Sequence, residues 1–161
     1  MITCEIPPIR MLVLTLTGRC NFKCLYCYAS EQDPFDMTEE TAIAAVALAH
    51  VSKNQFLLQF SGGEPLLQFP LIRKVEKNHV NAQMQIQTNG ALLTKDIGKW
   101  LFDHHVGIGI SCDGRPELMN SLRVSKDGDR SSQKVIQAFQ NLGESNIEAG
   151  ITCVVTDDTV E

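Results

Sequence analysis

The stretch CNFKCLYC, residues 20–27, follows an apolar run and a glycine, and it decides how the rest of the sequence is interpreted. Its cysteines, Cys20, Cys24 and Cys27, form a C-x3-C-x2-C array. A structural zinc ion takes four protein ligands, and a ferredoxin-type iron–sulfur cubane takes four thiolates, one on each iron. Three thiolates on a four-iron cluster leave one iron without a protein ligand. That iron can bind a substrate or a cofactor.

Two other interpretations of these cysteines stay open at the level of sequence. A zinc site would take its fourth ligand from Cys4, Cys112, Cys153 or a histidine, although this spacing is unusual for a zinc ribbon. Alternatively, the cysteines are unrelated thiols of the core, because free cysteine is often buried. Three cysteines at this spacing argue against that second interpretation.

The array resembles the signature of the radical S-adenosylmethionine (radical SAM) superfamily, C-x3-C-x-aromatic-C, in which Tyr26 fills the aromatic position. The resemblance implies a [4Fe-4S] cluster held by the three cysteines, whose open iron chelates the amino and carboxylate groups of S-adenosylmethionine. Arg19 and Lys23 would offset the negative charge of such a cluster and favour thiolates.

Composition limits the class of protein. The chain has 161 residues, of which 43% are hydrophobic and 20% charged, as expected of one globular domain with a sizeable core. A net charge of −5 gives no basic surface for non-specific nucleic-acid binding. The sequence contains neither an apolar run of about 18 residues for a membrane span nor the layout of a secretory signal. Six cysteines in such a chain indicate a reducing compartment, so we expect the cytoplasm.

The apolar pattern predicts alternating strands and helices. Strands are predicted at residues 11–17, 56–60, 82–88, 106–112 and 149–156, helices at 38–53, 66–78, 94–104 and 131–143, and a polar loop at 113–130. This alternation predicts an α/β fold with a parallel sheet, its strands covered on both faces. Right-handed crossovers roll about five such βα units into a partial TIM-like barrel. The superfamily resemblance likewise implies a partial (βα)6-type barrel.

Polar and glycine-rich motifs follow the predicted strands, at the edge where parallel sheets bind ligands. In chain order they are the cysteine array, Gly62-Gly63-Glu64, Thr88-Asn89, and Ser111 with Asp113. Paired glycines let backbone carbonyls approach a cationic amino group, and Glu64 adds a carboxylate. The alternative role of Glu64 is to accept hydrogen bonds from a helix N-terminus. The hydroxyl, amide and carboxylate groups of the later motifs suit a ribose and a carboxylate.

The resemblance assigns these motifs to S-adenosylmethionine. It implies that Gly62, Gly63 and Glu64 bind the methionine amino group and that Tyr26 contacts the adenine through its backbone. It also implies that residues at the later strand ends bind the sugar and the methionine carboxylate; these are Thr88, Asn89, Ser111 and Asp113.

Residues 111–156 narrow the resemblance to the SPASM-type branch of anaerobic sulfatase and peptide maturases. Ser-Cys-Asp-Gly at 111–114, Arg123 and the closing Ile-Thr-Cys-Val-Val-Thr are similar to that branch, whereas Met119-Asn120 and Ser132 depart from it. The branch implies that Arg123 binds the cofactor carboxylate; the alternative is a solvated loop charge. The branch continues with a sixth strand and a cysteine-rich domain, so we expect residues 1–161 to be a radical SAM core truncated before both.

The resemblance also implies a reaction. An external one-electron donor of flavodoxin or ferredoxin type reduces the cluster, S-adenosylmethionine is cleaved, and a 5′-deoxyadenosyl radical removes hydrogen from a peptide or protein side chain. That step requires no acid–base residue, so no catalytic side chain is predicted beyond the ligands. The alternatives are a radical SAM enzyme acting on a small molecule or nucleotide, and a non-catalytic metal-binding module.

Overall fold

The computed structural model describes residues 8–30, 33–51, 54–78 and 81–156. Its strands are β1 (Met11–Thr15), β2 (Phe22–Cys24), β3 (Phe56–Ser61), β4 (Ala82–Thr88), β5 (Val106–Ser111), β6 (Arg123–Ser125) and β7 (Gly150–Thr152). Its helices are α1 (Glu39–His50), α2 (Phe69–Asn78), α3 (Lys95–Asp103), α4 (Pro116–Leu122) and α5 (Ser131–Gly143). A short 3₁₀ helix at Pro65–Gln68 precedes α2.

Five of the strands form one parallel sheet in the order β1-β3-β4-β5-β7. Each neighbouring pair is parallel, and the order in the sheet follows the order in the chain. Within this sheet, each strand is connected to the next one through at least one helix, which is the connectivity of a barrel segment. The prediction of an α/β partial barrel is therefore confirmed.

The main helices begin close to where the sequence predicts them. The Thr38 hydroxyl accepts a hydrogen bond from the Thr41 amide at 3.2 Å, and the Thr94 hydroxyl accepts one from the Ile97 amide at 3.3 Å. These are the N-cap contacts expected of threonine. Within the described ranges no helix combines the length and the apolar character needed to cross a bilayer.

The hydrophobic core lies between the helices and one face of the sheet. Phe60, Ile86 and Ile110 point to that face and are at most 1% exposed. Successive side chains of a strand alternate between the two faces of the sheet. The residues next to Phe60, Ile86 and Ile110 along each strand therefore lie on the opposite face. There Val13 is 47% exposed and Gln85 is half-buried. The prediction that both faces are covered is thus wrong for β1, because helices pack against one face only in the part of the chain described.

The predicted polar loop at residues 113–130 is the main error in the secondary structure. It contains α4 and β6, and β6 pairs antiparallel with β2 beside the sheet. Each of these two strands has 3 residues, which is too short for a periodic pattern to predict. The last strand, β7, is also shorter than the predicted 149–156.

Candidate cofactor site

The three cysteines of the array lie on a loop that follows β1 and includes β2. None of their thiols forms a disulfide, all three are half-buried, and the Cys27 amide donates to the Cys24 carbonyl at 3.2 Å. Burial raises the pKa of Cys20, and it raises the pKa of Cys24 to about 11. The charges of Cys20 and Cys27 raise the pKa of Cys24 further, so the three sulfurs share one electrostatic environment. Binding of a metal would therefore release protons from Cys20 and Cys24.

The diglycine turn packs directly against this loop. The Gly63 amide donates to the Thr17 carbonyl at 2.8 Å, and the Glu64 amide donates to the Arg19 carbonyl at 2.9 Å. A Cβ on Gly63 would lie 2.3 Å from the Arg19 oxygen and 3.1 Å from the Cys20 Cβ, so no side chain fits there. Gly62 has φ of 140°, which favours glycine. The turn and the cysteine array therefore occupy the same edge of the sheet.

Glu64 points into the protein, and its side chain links two strand ends. It is 0% exposed, and its Oε1 accepts hydrogen bonds from the Leu66 amide at 3.0 Å and the Thr88 hydroxyl at 2.7 Å. Its Oε2 accepts one from the Asn89 amide at 2.8 Å. Burial raises the pKa of Glu64, and these three donors oppose that shift. The alternative role from the sequence, accepting from a helix N-terminus, is the arrangement that the structure shows.

The Thr88-Asn89 pair also has its polar groups engaged within the protein. The Thr88 hydroxyl donates to Glu64 and accepts from the Gly90 amide at 3.0 Å. The Asn89 side-chain amide donates to Asn21 Oδ1 at 2.8 Å and contacts Cys20 Sγ at 3.7 Å. Both connect the end of β4 to the cysteine loop.

Tyr26, Asp113 and Arg123 form one buried network on the other side of the loop. Arg123 Nε donates to Asp113 Oδ2 at 2.6 Å, and Nη2 donates to Oδ1 at 3.1 Å. The Tyr26 hydroxyl donates to Oδ2, and the Val154 amide donates to Oδ1 at 3.0 Å. The guanidinium carbon of Arg123 lies 5.5 Å from the centre of the Tyr26 ring. Four donors thus reach the Asp113 carboxylate from within the protein.

Arg123 is not the solvated loop charge considered as an alternative. Its side chain is 7% exposed, and it lies on β6 opposite Cys24 of β2. Burial raises the pKa of Asp113, but the hydrogen bonds from Arg123 and Tyr26 outweigh burial and hold that pKa below its usual range. Asp113 therefore stabilises the fold in its ionised form. This contribution is present above the unfolded-state pKa of about 3.9 and is lost as the pH falls through the lower folded-state value.

We expect Asp113→Asn to lower the free energy of unfolding at pH 7 by about 3 kcal/mol, because it leaves a buried guanidinium unpaired. The difference in free energy of unfolding should narrow as the pH falls below about 4, because the carboxylate then binds a proton first in the unfolded and, at lower pH, in the folded wild type. Urea unfolding followed by circular dichroism across this pH range measures both. Asp103→Asn is the control, since it breaks the exposed Lys99–Asp103 pair and should cost under about 0.5 kcal/mol. Equal effects of the two variants would contradict the assignment.

Ser111 lies apart from these networks, on the sheet face that the helices leave open. Its hydroxyl accepts from Gln87 Nε2 at 3.1 Å, and Gln87 Oε1 accepts from the Thr152 hydroxyl at 3.0 Å. On the same face Gln85 Nε2 donates to Gln59 Oε1 at 2.6 Å. Sequence reasoning missed these glutamines as site residues. The signal was present, because the segment AQMQIQT carries glutamine at every second position of β4.

The predicted charge balance needs correction, and the zinc alternative finds no ligand set. Arg19 pairs with Asp36, with 2.6 Å between Nη2 and Oδ2, so its charge is neutralised by that carboxylate; the cation that lowers the pKa of Cys24 is Arg123. Among the described residues, no group of three or more His, Cys, Asp or Glu side chains is placed to hold a single metal ion. Cys153 is exposed rather than in or near the core, and Cys4 lies outside the described residues.

A family model settles the class of protein. Residues 14–161 match the model of the Radical SAM superfamily. The chain belongs to the radical SAM superfamily. S-adenosylmethionine and a [4Fe-4S] cluster are the characteristic cofactors of this superfamily, as the cysteine array indicated.

Curated relatives within the superfamily are longer than this chain. An uncharacterised protein of Methanocaldococcus jannaschii is 38% identical over 152 residues, which are 91% of this chain and 53% of that protein. A cysteine-type anaerobic sulfatase-maturating enzyme of Clostridium perfringens is 29% identical over 169 residues, covering 95% and 46%. The chain thus spans about half the length of these relatives.

Solved radical SAM structures share the fold. A structure of anSMEcpe with bound AdoMet superposes with a TM-score of 0.82 at 29% identity, covering 95% of this chain and 45% of that one. A second structure of anSMEcpe, with bound AdoMet and the Kp18Cys peptide, gives a TM-score of 0.81 at 28% identity with the same coverage. The partial barrel is therefore the radical SAM fold.

The residues present fit the cluster better than a single ion. Zinc binds sulfur at about 2.3 Å and needs its ligands around one point, an arrangement that is absent among the described residues. A cubane places each thiolate on a different iron, so its ligand sulfurs are spread over a larger object. The three cysteines are free thiols, and the turn beside them leaves no room for a side chain at Gly63, which is consistent with a group larger than one ion.

Proposed function

We propose that residues 1–161 form the core domain of a radical SAM enzyme, which holds a [4Fe-4S] cluster through Cys20, Cys24 and Cys27 and binds S-adenosylmethionine beside it. The observation that carries this proposal is the contact of the diglycine turn with the cysteine loop. When bound, the cluster would supply the electron for reductive cleavage of S-adenosylmethionine, which would lead to removal of hydrogen from the substrate. The part of the chain itself is to bind and orient these cofactors.

The predicted ligands divide into two groups by what their polar atoms contact. Gly62 and Gly63 are half-buried, so we assign the methionine amino group to their backbone. Ser111 accepts a hydrogen bond from Gln87 but lies on the open face of the sheet, where its hydroxyl can still donate, so we assign the sugar to it. Six predicted ligands have their side chains bonded within the protein, and we assign them to support of the site; these are Tyr26, Glu64, Thr88, Asn89, Asp113 and Arg123. This division explains why so many polar side chains are buried at one edge of a sheet.

The proposed substrate is a peptide or protein side chain. Two observations support it: anSMEcpe is solved with the Kp18Cys peptide, and the open sheet face carries glutamine amides that can pair with peptide groups. The proposed electron donor is a flavodoxin or ferredoxin type of protein, because the reaction consumes an electron from outside. We place the protein in the cytoplasm, where free thiols persist.

Anaerobic reconstitution tests the proposal. We expect about four iron and four sulfide per chain, and 5′-deoxyadenosine as a product when S-adenosylmethionine and dithionite are added. About one zinc per chain without iron would instead support the non-catalytic metal-binding module. An intact cluster that yields no 5′-deoxyadenosine would contradict cofactor cleavage by this chain. A small-molecule or nucleotide substrate is distinguished by offering candidate peptides and following hydrogen transfer into 5′-deoxyadenosine.

A further inference from the structure

Asn89 makes a contact that binding of S-adenosylmethionine does not explain. Its side chain is 8% exposed, and its Nδ2 lies 3.7 Å from Cys20 Sγ, within the range of an N–H···S hydrogen bond. The backbone amide of Phe22 donates to the same sulfur at 3.3 Å. Cys20 therefore has one donor from its own loop and one from the end of β4, 69 residues away in the sequence.

The orientation of Asn89 is fixed from three directions. Its backbone amide donates to Glu64, and its Oδ1 accepts a hydrogen bond from the Ala91 amide at 2.9 Å. Since Oδ1 is used in this way, Nδ2 must face the cysteine loop, where Asn21 Oδ1 accepts from it at 2.8 Å. An asparagine held by both ends of its amide and by its backbone has one rotamer available. The donor is therefore preorganised toward the sulfur.

We propose that Asn89 is a positioning residue for Cys20, which holds its sulfur in place and donates a hydrogen bond that stabilises the reduced cluster. The inference rests on the proposed function, since it requires Cys20 to ligate the cluster. Reduction adds negative charge to the cluster and its thiolates, and hydrogen bonds to the sulfurs favour the state with more charge. Loss of the donor should therefore make the midpoint potential more negative.

The test compares Asn89→Asp and Asn89→Ala in the reconstituted chain by EPR-monitored redox titration. The aspartate keeps the acceptor for the Ala91 amide but removes the donor, whereas the alanine removes both without adding charge. In both variants we expect the ratio of reduced to oxidised cluster at a fixed solution potential to fall about two- to fivefold, the effect of one weak hydrogen bond. A shift in the aspartate variant alone would mean a charge effect and would overturn the proposal.

Asn141→Asp is the matched control. It makes the same chemical change at a side chain that donates to the Leu93 carbonyl at 2.9 Å, and it should leave the potential unchanged. Full cluster content with wild-type potentials in both Asn89 variants would refute the inference, whereas a wild type that binds no cluster would refute the proposed function instead. An Asn89 variant that folds but binds less iron than the wild type supports the positioning role. If neither variant folds, pulsed EPR of the reduced cluster decides. The wild type and Asn21→Asp are both labelled with 15N at asparagine side chains, and the substitution removes the side-chain nitrogen of Asn21. A side-chain nitrogen coupling that is absent from both proteins would refute the inference.

Discussion

Cys24→Ala is expected to reduce the bound iron from about four atoms to less than about one per chain after reconstitution, and to abolish formation of 5′-deoxyadenosine. Two remaining thiolates cannot hold three corners of a cubane. Cys24 also lies on β2, opposite Arg123, so its sulfur is placed by paired strands rather than by a free loop. Iron and sulfide analysis, visible absorption and product assay by chromatography measure the outcome.

Cys153→Ala provides the comparison for that experiment. Cys153 is an exposed free thiol, and its sulfur contacts the carbonyl oxygen of its neighbour Val154 at 3.8 Å. Its removal should leave iron content and product formation unchanged. If Cys24→Ala retains a full cluster, or if both variants lose iron equally, the assignment of the array as the cluster ligands is wrong.

Glu64→Ala is expected to lower the free energy of unfolding by about 3–9 kcal/mol, the largest effect on stability that we expect. The change leaves the Leu66 and Asn89 amides and the Thr88 hydroxyl without their acceptor in the interior, at about 1–3 kcal/mol for each buried donor. For a domain whose total stability is about 5–15 kcal/mol, this change alone can unfold the chain. Urea unfolding at pH 7 measures it.

Glu64→Gln keeps the shape and one acceptor, so it separates the loss of hydrogen bonds from the loss of volume. We expect it to destabilise the chain by about 1–3 kcal/mol, because its amide group meets the donors that faced the carboxylate. Glu148→Ala, at an exposed position between α5 and β7, should stay within about 0.5 kcal/mol of wild type. A wild-type unfolding curve for Glu64→Ala would show that this carboxylate does not join the strand ends.

The sequence was sufficient for the parallel sheet and for the gathering of the diglycine turn and the cysteine array at one edge of it. Strong signals carried both: apolar runs such as residues 56–60, threonine caps at Thr38 and Thr94, and motifs that recur at strand ends. These features depend on neighbours in the sequence and on a topological rule for parallel sheets. They are therefore visible without coordinates.

The roles of single side chains could not be predicted in the same way. Glu64 and Asp113 carry carboxylates that are suited to bind a ligand. Only the structure shows that each carboxylate accepts hydrogen bonds from distant segments of the chain. The partner of Arg19 is likewise Asp36, whereas the cation beside Cys24 comes from β6. Sequence spacing indicates which groups gather at an edge, but the direction of each side chain depends on contacts across the chain.

The pairing of β2 with β6 sets the order in which the site can mature. Cys24 and Arg123 are roughly a hundred residues apart, and contacts at such separation form late because the intervening chain must first be closed. During synthesis at about 5–20 residues per second, the cysteines leave the ribosome several seconds before the strand that frames them. Metal delivered in that interval would meet cysteines on a segment that is not yet paired with β6. Correct assembly of the site therefore favours metal insertion after β6 has been synthesised.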